Sequence, residues 1–192
     1  MTSVSFSTQN DLLLHNLIDF YKKEEYLDKM LQIITGESKI SLRIVDWFAT
    51  NYAKKYYTLY TINEDGEEDG EERRFKVYVD YKLKLKAYSK KRFDPFCRWE
   101  RISIPYKSKD TFIETTIGQL NFFKWALENK VIDYIEKNYE GIEIDMNNRN
   151  STSRKKELSV DNSKTRKKRE ELSISATKSI KKEKLEIVVK FN

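Results

Sequence analysis

Apolar residues recur at three-to-four spacing between residues 8 and 35, at Leu13, Leu14, Leu17, Ile18 and Tyr21 and again at Tyr26, Leu27, Met30, Leu31 and Ile34. That period lines one face of a helix; Gly36 stops the run, and the polar stretch 22–25 divides it into two helices. A second helical pattern covers 41–55, "SLRIVDWFATNYAKK", with Leu42, Val45, Phe48, Ala49 and Tyr52 on one face and Ser41 as its cap. Residues 56–62, "YYTLYTI", then switch to the aromatic and β-branched composition of a strand.

From Phe75 to Tyr88 the pattern changes period. Phe75, Val77, Val79, Tyr81, Leu83, Leu85 and Ala87 alternate with Lys76, Tyr78, Asp80, Lys82, Lys84, Lys86 and Tyr88. Strict alternation predicts a strand with one wet face, paired with 56–62 in a long hairpin. "RISIPY", 101–106, reads as a third strand. The segment 115–139 is the clearest helix: Thr116 and Gln119 have capping-box spacing, Ile117, Leu120, Phe123, Leu127, Val131 and Tyr134 follow at helical spacing, and Gly141 marks its end. The predicted fold is α+β, with N-terminal helices, a small antiparallel sheet and a long helix packed on it.

Charge divides the chain. Residues 147–192 hold 14 Lys or Arg against 6 Asp or Glu, whereas the first 146 hold 23 against 25. Seven acids crowd into 63–72, "NEDGEEDGEE". Like-charge blocks repel themselves, so 63–72 is expected as a solvated hairpin tip. The reading is a globular body over 1–146 and a basic, poorly structured C-terminal arm over 147–192. The arm carries a degenerate repeat, "RKKELSV", "RKKREELSI" and "IKKEKLEIVV", too short and polar for a solenoid. Residues 185–191 hold a candidate terminal strand.

Composition narrows the chemistry. The chain of 192 residues is 35% charged and 39% hydrophobic, yet 12 Tyr, 10 Phe and 3 Trp suffice for a core. Cys97 and His15 stand alone, so neither a disulfide within the chain nor a Cys/His zinc cluster can form. No stretch approaches the roughly 18 apolar residues of a spanning helix, and the N-terminus lacks a signal-peptide pattern, so the chain reads as neither secreted nor membrane-bound.

The chemistry-bearing stretch is "YKLKLKAYSKKRFDPFCRWER", 81–101, with eight Lys or Arg and five aromatics in 21 positions. On a strand, Lys82, Lys84 and Lys86 stand in a row at about 6–7 Å intervals, close to the spacing of phosphates in a single strand. Lys90, Lys91, Arg92, Arg98 and Arg101 extend the patch, and Phe93, Phe96 and Trp99 supply stacking surfaces for bases. The competing reading is an edge strand guarded by lysines, with "FDPFCRW" a turn that plugs the core. In the arm, Lys155 and Lys156, and Arg166, Lys167, Lys168 and Arg169, form basic clusters of the nucleic-acid-binding type; the competing reading is an arm that keeps the chain soluble.

Catalytic patterns are thin. "VDYK" places Asp80 two residues before Lys82 on the expected strand, as in restriction-like nucleases, but Asp46 inside a helix is a poor second metal ligand. Cys97 and His15 read as structural, and no phosphate-binding glycine loop occurs. No cofactor or metal is expected.

Three segments together, "SLRIVDWFATNYAKK", "LKAYSKKRFDPFCRWERI" and "TTIGQLNFFKWALENKVIDYI", resemble an uncharacterised protein family of nucleocytoplasmic large DNA viruses, the giant viruses of algae and amoebae. The resemblance covers about residues 40–140, and "FDPFCR" and "GQLNFFKWA" are its most specific strings. It implies no reaction and therefore no catalytic residue. It implies a viral protein made inside an infected host cell, in the nucleus or a cytoplasmic virus factory, or carried in the virion. The expectation is a non-enzymatic viral nucleic-acid-binding protein whose partner is DNA, with RNA an open alternative. The runner-up is a structural or adaptor protein of the virion whose arm binds a viral protein, and a metal-dependent nuclease stands third.

Overall fold

The computed structural model describes residues 8–63, 72–106, 108–158 and 181–184. Helix α1 (Gln9–Tyr21) opens at a complete capping box in which the Thr8 hydroxyl accepts from the Asp11 amide and the Asp11 carboxylate from the Thr8 amide. Helix α2 (Glu24–Thr35) ends on Gly36, whose φ of 80° is the left-handed conformation that glycine reaches without strain. Helix α3 (Leu42–Trp47), capped by Ser41, widens into a π-helical turn at Phe48–Tyr52 before α4 (Ala53–Lys55).

Strands β1 (Leu59–Asn63) and β2 (Glu72–Lys76) pair antiparallel, Leu59 with Lys76 and Asn63 with Glu72, so a hairpin brackets the acidic segment. The predicted strand does not continue past Lys76. Residues Val77–Phe93 form helix α5. Pairing ends there because the opposite chain turns away: Tyr57 sits at φ 48° and the residues before it are helical, so the last hairpin contact is the Val77 amide on the Thr58 carbonyl. An unpaired strand would leave its backbone groups without partners, while a helix satisfies them internally. The Lys and Leu of "YKLKLK" are also good helix formers. Val77 and Tyr81 are buried and Lys84, Leu85 and Tyr88 partly so, which is a helical stripe.

Strand β3 (Arg101–Tyr106) pairs antiparallel with β4 (Ser108–Thr116), a strand with no clear apolar pattern of its own, and β5 (Lys181–Lys184) adds to the far edge of β4. The long helix predicted over 115–139 exists in two pieces, α6 (Ile117–Glu128) and α7 (Val131–Lys137), broken where Lys130 takes φ 53°. Thr116 caps α6 as expected, its hydroxyl accepting from the Gln119 amide; the Gln119 side chain, however, accepts from the Thr115 hydroxyl. Gly141 is not a stop: it lies inside α8 (Tyr139–Leu158), which runs across the 146/147 composition boundary. Met146 is buried, and Arg149 reaches back to Asn51 and the Trp47 ring. The candidate strand 185–191 lies outside the described residues.

The mixed α and β architecture is thus as the sequence implies, around one core. Helix α6 is its axis, buried at Ile117–Phe123, Trp125 and Ala126. Phe93, Phe122, Trp125 and Tyr81 pack mutually with ring centroids 5.7–6.5 Å apart. The Tyr21 hydroxyl donates to the Leu120 carbonyl at 2.8 Å, tying α1 to this axis.

Candidate nucleic-acid interface

The helical conformation of α5 rearranges the lysine row. Positions 82, 84 and 86 alternate across a strand, but on a helix Lys82 and Lys86 share a face while Lys84 points to another. Lys82 and Lys86 are exposed and Lys84 is partly buried. The single three-ammonium row is therefore replaced by a two-lysine face with a rise of about 6 Å. Val79 and Leu83, 52% and 60% exposed, lie beside those lysines. A shallow depression of about 510 Å³ opens there, bordered by Tyr78, Val79, Lys82, Leu83, Leu85 and Lys86.

Helix α5 bends at Ser89, where φ 63° and ψ 168° interrupt the helix before its last turn. That turn carries Lys90 and Lys91, both exposed, and Arg92, partly buried. The loop that follows is firmly held. The Asp94 carboxylate accepts from the Phe96 amide at 2.8 Å, and the Asp94 carbonyl accepts from the Cys97 amide at 3.0 Å. The Asn121 side chain donates to the Arg92 carbonyl at 2.8 Å, and the Thr116 hydroxyl to the Cys97 carbonyl at 3.3 Å. Gly118, on the first turn of α6, leaves no room between that helix and the loop: a Cβ there would lie 2.9 Å from the Asp94 carbonyl and 3.0 Å from that of Lys91.

The three aromatic candidates separate accordingly. Phe93 is fully buried and cannot stack on a ligand; it is part of the core, because the loop brings it against Phe122 and Trp125. Phe96 is partly buried and packs on the same core. Trp99 is 67% exposed, with the Lys91 ammonium 5.2 Å from its ring centroid. Arg98, the preceding residue, is exposed, whereas Arg101 pairs with Glu114 at 3.2 Å. Lys155 and Lys156 lie in the C-terminal part of α8, and Arg166, Lys167, Lys168 and Arg169 lie outside the described residues.

The "VDYK" pattern loses its geometric premise. On a helix, positions 80 and 82 diverge, and the Asp80 carboxylate accepts from the Trp125 indole N–H at 2.6 Å. Among the described residues, no three His, Cys, Asp or Glu side chains converge as a metal site. Cys97 is a partly buried free thiol, and His15 pairs with Asp19 at 3.2 Å.

Sequence reasoning missed two electrostatic centres. Asp46, beside the π-turn, is pushed up to about 7 by burial and then by the Asp94 charge. Asp145, on α8, gathers Lys55, the Trp47 indole at 3.1 Å and the Tyr56 hydroxyl at 3.2 Å. Burial pushes its carboxyl up, but these three donors hold it below the ordinary value. Asp46 feels Asp94, 48 positions on, and Asp145 meets Trp47, Lys55 and Tyr56 about 90 to 98 positions back, so neither environment lies within a sequence window.

A family model described as a family of unknown function, DUF7197, matches residues 2–192. An uncharacterized protein of Acanthamoeba polyphaga mimivirus is 45% identical over 137 residues, which are 69% of this chain and 51% of the mimivirus protein. The chain therefore spans about half the length of that relative. No solved structure matches it.

Proposed function

The chain belongs to the DUF7197 family of unknown function and is similar to a giant-virus protein, and from that premise we propose that it is a non-enzymatic nucleic-acid-binding protein of the infected cell. The observation that carries this reading is the exposed basic run along α5. Lys82, Lys86, Lys90 and Lys91 are all exposed, and none forms an ion pair among the described residues. An evolving surface that served only solubility would be served as well by mixed charges, which pair and cancel. Here four cations without an ion pair among the described residues occur within ten positions, the last of them 5.2 Å from the ring of an exposed Trp.

Each cation that neutralises a phosphate releases a condensed counterion, so binding falls with salt. The helix supplies orientation through Lys82 and Lys86. The basic clusters of the arm, Lys155, Lys156 and Arg166–Arg169, supply long-range attraction. DNA of the viral genome is the proposed ligand, and genome association, transcription or packaging the proposed setting.

The test is a salt titration of binding by the full chain to DNA and RNA of mixed sequence, alongside two variants. One carries Lys82→Ser and Lys86→Ser; the other replaces Arg166, Lys167, Lys168 and Arg169 with Ser. Expected are a steep loss of affinity with salt and a slope reduced by about 0.7–0.9 for each phosphate contact removed. Absence of binding at low salt overturns the reading. Binding lost only in the arm variant makes α5 scaffold and moves the interface to the arm.

A second reading, a structural or adaptor protein of the virion, draws on β5. Lys181–Lys184 of the arm pair with β4, so the arm is competent to add a strand to a sheet edge. Arm-dependent association with a viral protein, without nucleic acid, is its signature.

A further inference from the structure

Resting on the nucleic-acid reading, we infer that the ligand is single-stranded, and that Trp99 is the platform on which one of its bases stacks. Large aromatic side chains bring most of their stabilisation when buried, and the two other tryptophans conform: Trp125 is 2% exposed and Trp47 is partly buried under Arg149. Trp99, at 67% exposure, does not.

Slack in the chain does not account for this. The loop before Trp99 is fastened by the Asp94, Asn121 and Thr116 hydrogen bonds and by the Gly118 approach. The residue after it, Glu100, takes φ 50°, a conformation that costs a non-glycine residue free energy. The chain then enters β3 at Arg101. Trp99 is therefore held out from a fixed base on both sides, at a cost the fold has retained.

The surroundings of the ring specify the chemistry. Lys91 sits over the ring 5.2 Å from its centroid, and no other ring packs on Trp99 among the described residues. Arg98, the preceding residue, is exposed. A flat π-surface with an ammonium 5.2 Å from its centroid matches a nucleotide, whose base offers a π-face and whose phosphate offers the charge. The bases of a duplex are already stacked on one another and present only their edges in the grooves. A base can lie flat on Trp99 only if it has left that stack, so the geometry selects unpaired strands. With Phe93 buried and Phe96 partly so, Trp99 is the exposed aromatic of this loop, and every base has a π-face to offer it. Preference for a strand without preference for a sequence follows.

The experiment compares the full chain with Trp99→Ala and Trp99→Phe, using a labelled oligothymidylate of about 20 nucleotides and a duplex of about 20 base pairs. Thermal melts establish that the variants fold, which exposure at this site favours. The expected result has three parts. The wild type binds the single strand at least tenfold tighter than the duplex. Trp99→Ala loses about 5- to 100-fold on the single strand and nothing on the duplex, while Trp99→Phe keeps most of the affinity. The slope of affinity against salt stays unchanged in both variants, because no cation has been removed. Equal affinity for the two nucleic acids, or a Trp99→Ala chain that binds the single strand as the wild type does, overturns this inference and leaves the nucleic-acid reading standing. Failure of the wild type to bind either one at low salt overturns both.

Discussion

Asp94 and Gly118 stand backbone to backbone: a Cβ on Gly118 would be 2.9 Å from the Asp94 carbonyl oxygen, closer than real Cβ atoms approach. The two most specific strings of the sequence, "FDPFCR" and "GQLNFFKWA", are thereby one packing unit. The first supplies a tight turn, and the second supplies the glycine that admits it and the Asn121 amide that fastens it.

Gly118→Ala places a methyl group against two carbonyl oxygens and the Cys97 Cβ, all fixed in the fold. Overpacking of this kind costs about 1–3 kcal/mol. Denaturant unfolding of the variant is expected to show that loss, and because the loop positions Trp99, the same substitution is expected to weaken the proposed single-strand binding. A variant as stable as the wild type would mean that loop and helix can separate.

Asp46 gives the chain a pH-dependent stability. Its folded value, about 7, lies above the ordinary 3.8, so between those values the folded state keeps a proton that the unfolded state has released. Stability from this group is present below about pH 4 and declines as pH rises to 7, by on the order of 4 kcal/mol in total. Asp46→Asn removes the titration. Its advantage over the wild type should be small at pH 5 and large at pH 8; a constant difference would show that Asp46 ionises normally.

Asp145 has the opposite sign. Its folded value is depressed, so its contribution is complete above the ordinary value of 3.8 and is lost as pH falls through the lower folded value. Asp145→Ala strips the partner from the partly buried Trp47 N–H, at a cost of about 1–3 kcal/mol at neutral pH. Acid titration of both proteins by circular dichroism should show the gap between their stabilities narrowing as pH falls below 3.8. The same geometry dictates how the arm is removed: a chain ending at Asp145 loses buried Met146 and the Arg149 contacts, whereas one ending at Leu158 keeps them.

Ser89, at φ 63° and ψ 168°, occupies a conformation natural only to glycine. Ser89→Gly is expected to raise stability by about 1 kcal/mol, read as a higher melting temperature, since the side chain is exposed and forms no hydrogen bond among the described residues. A loss of stability would indicate that the bend is not strained.

Much of this molecule follows from local pattern. The division of α1 from α2, the Gly36 terminus, the Ser41 and Thr116 caps and strand β3 are read directly, because each rests on a few neighbouring residues and a local hydrogen bond. The alternation from Phe75 to Tyr88 is equally visible and points to the wrong element beyond Lys76. What decided between strand and helix was the absence of a partner strand, and no sequence window contains a partner. The fate of the aromatics is of the same kind: Phe93, Phe96 and Trp99 share one short stretch of sequence, yet the packing of the Asp94 loop on Gly118 leaves the first buried, the second partly buried and the third exposed. The sequence by itself determined the mixed architecture, the caps and the partition of charge, since these depend on spacing and composition. Tertiary structure alone decided which lysines face solvent, which tryptophan is left outside, and which carboxylates are shifted, since burial and proximity arise only when distant segments meet.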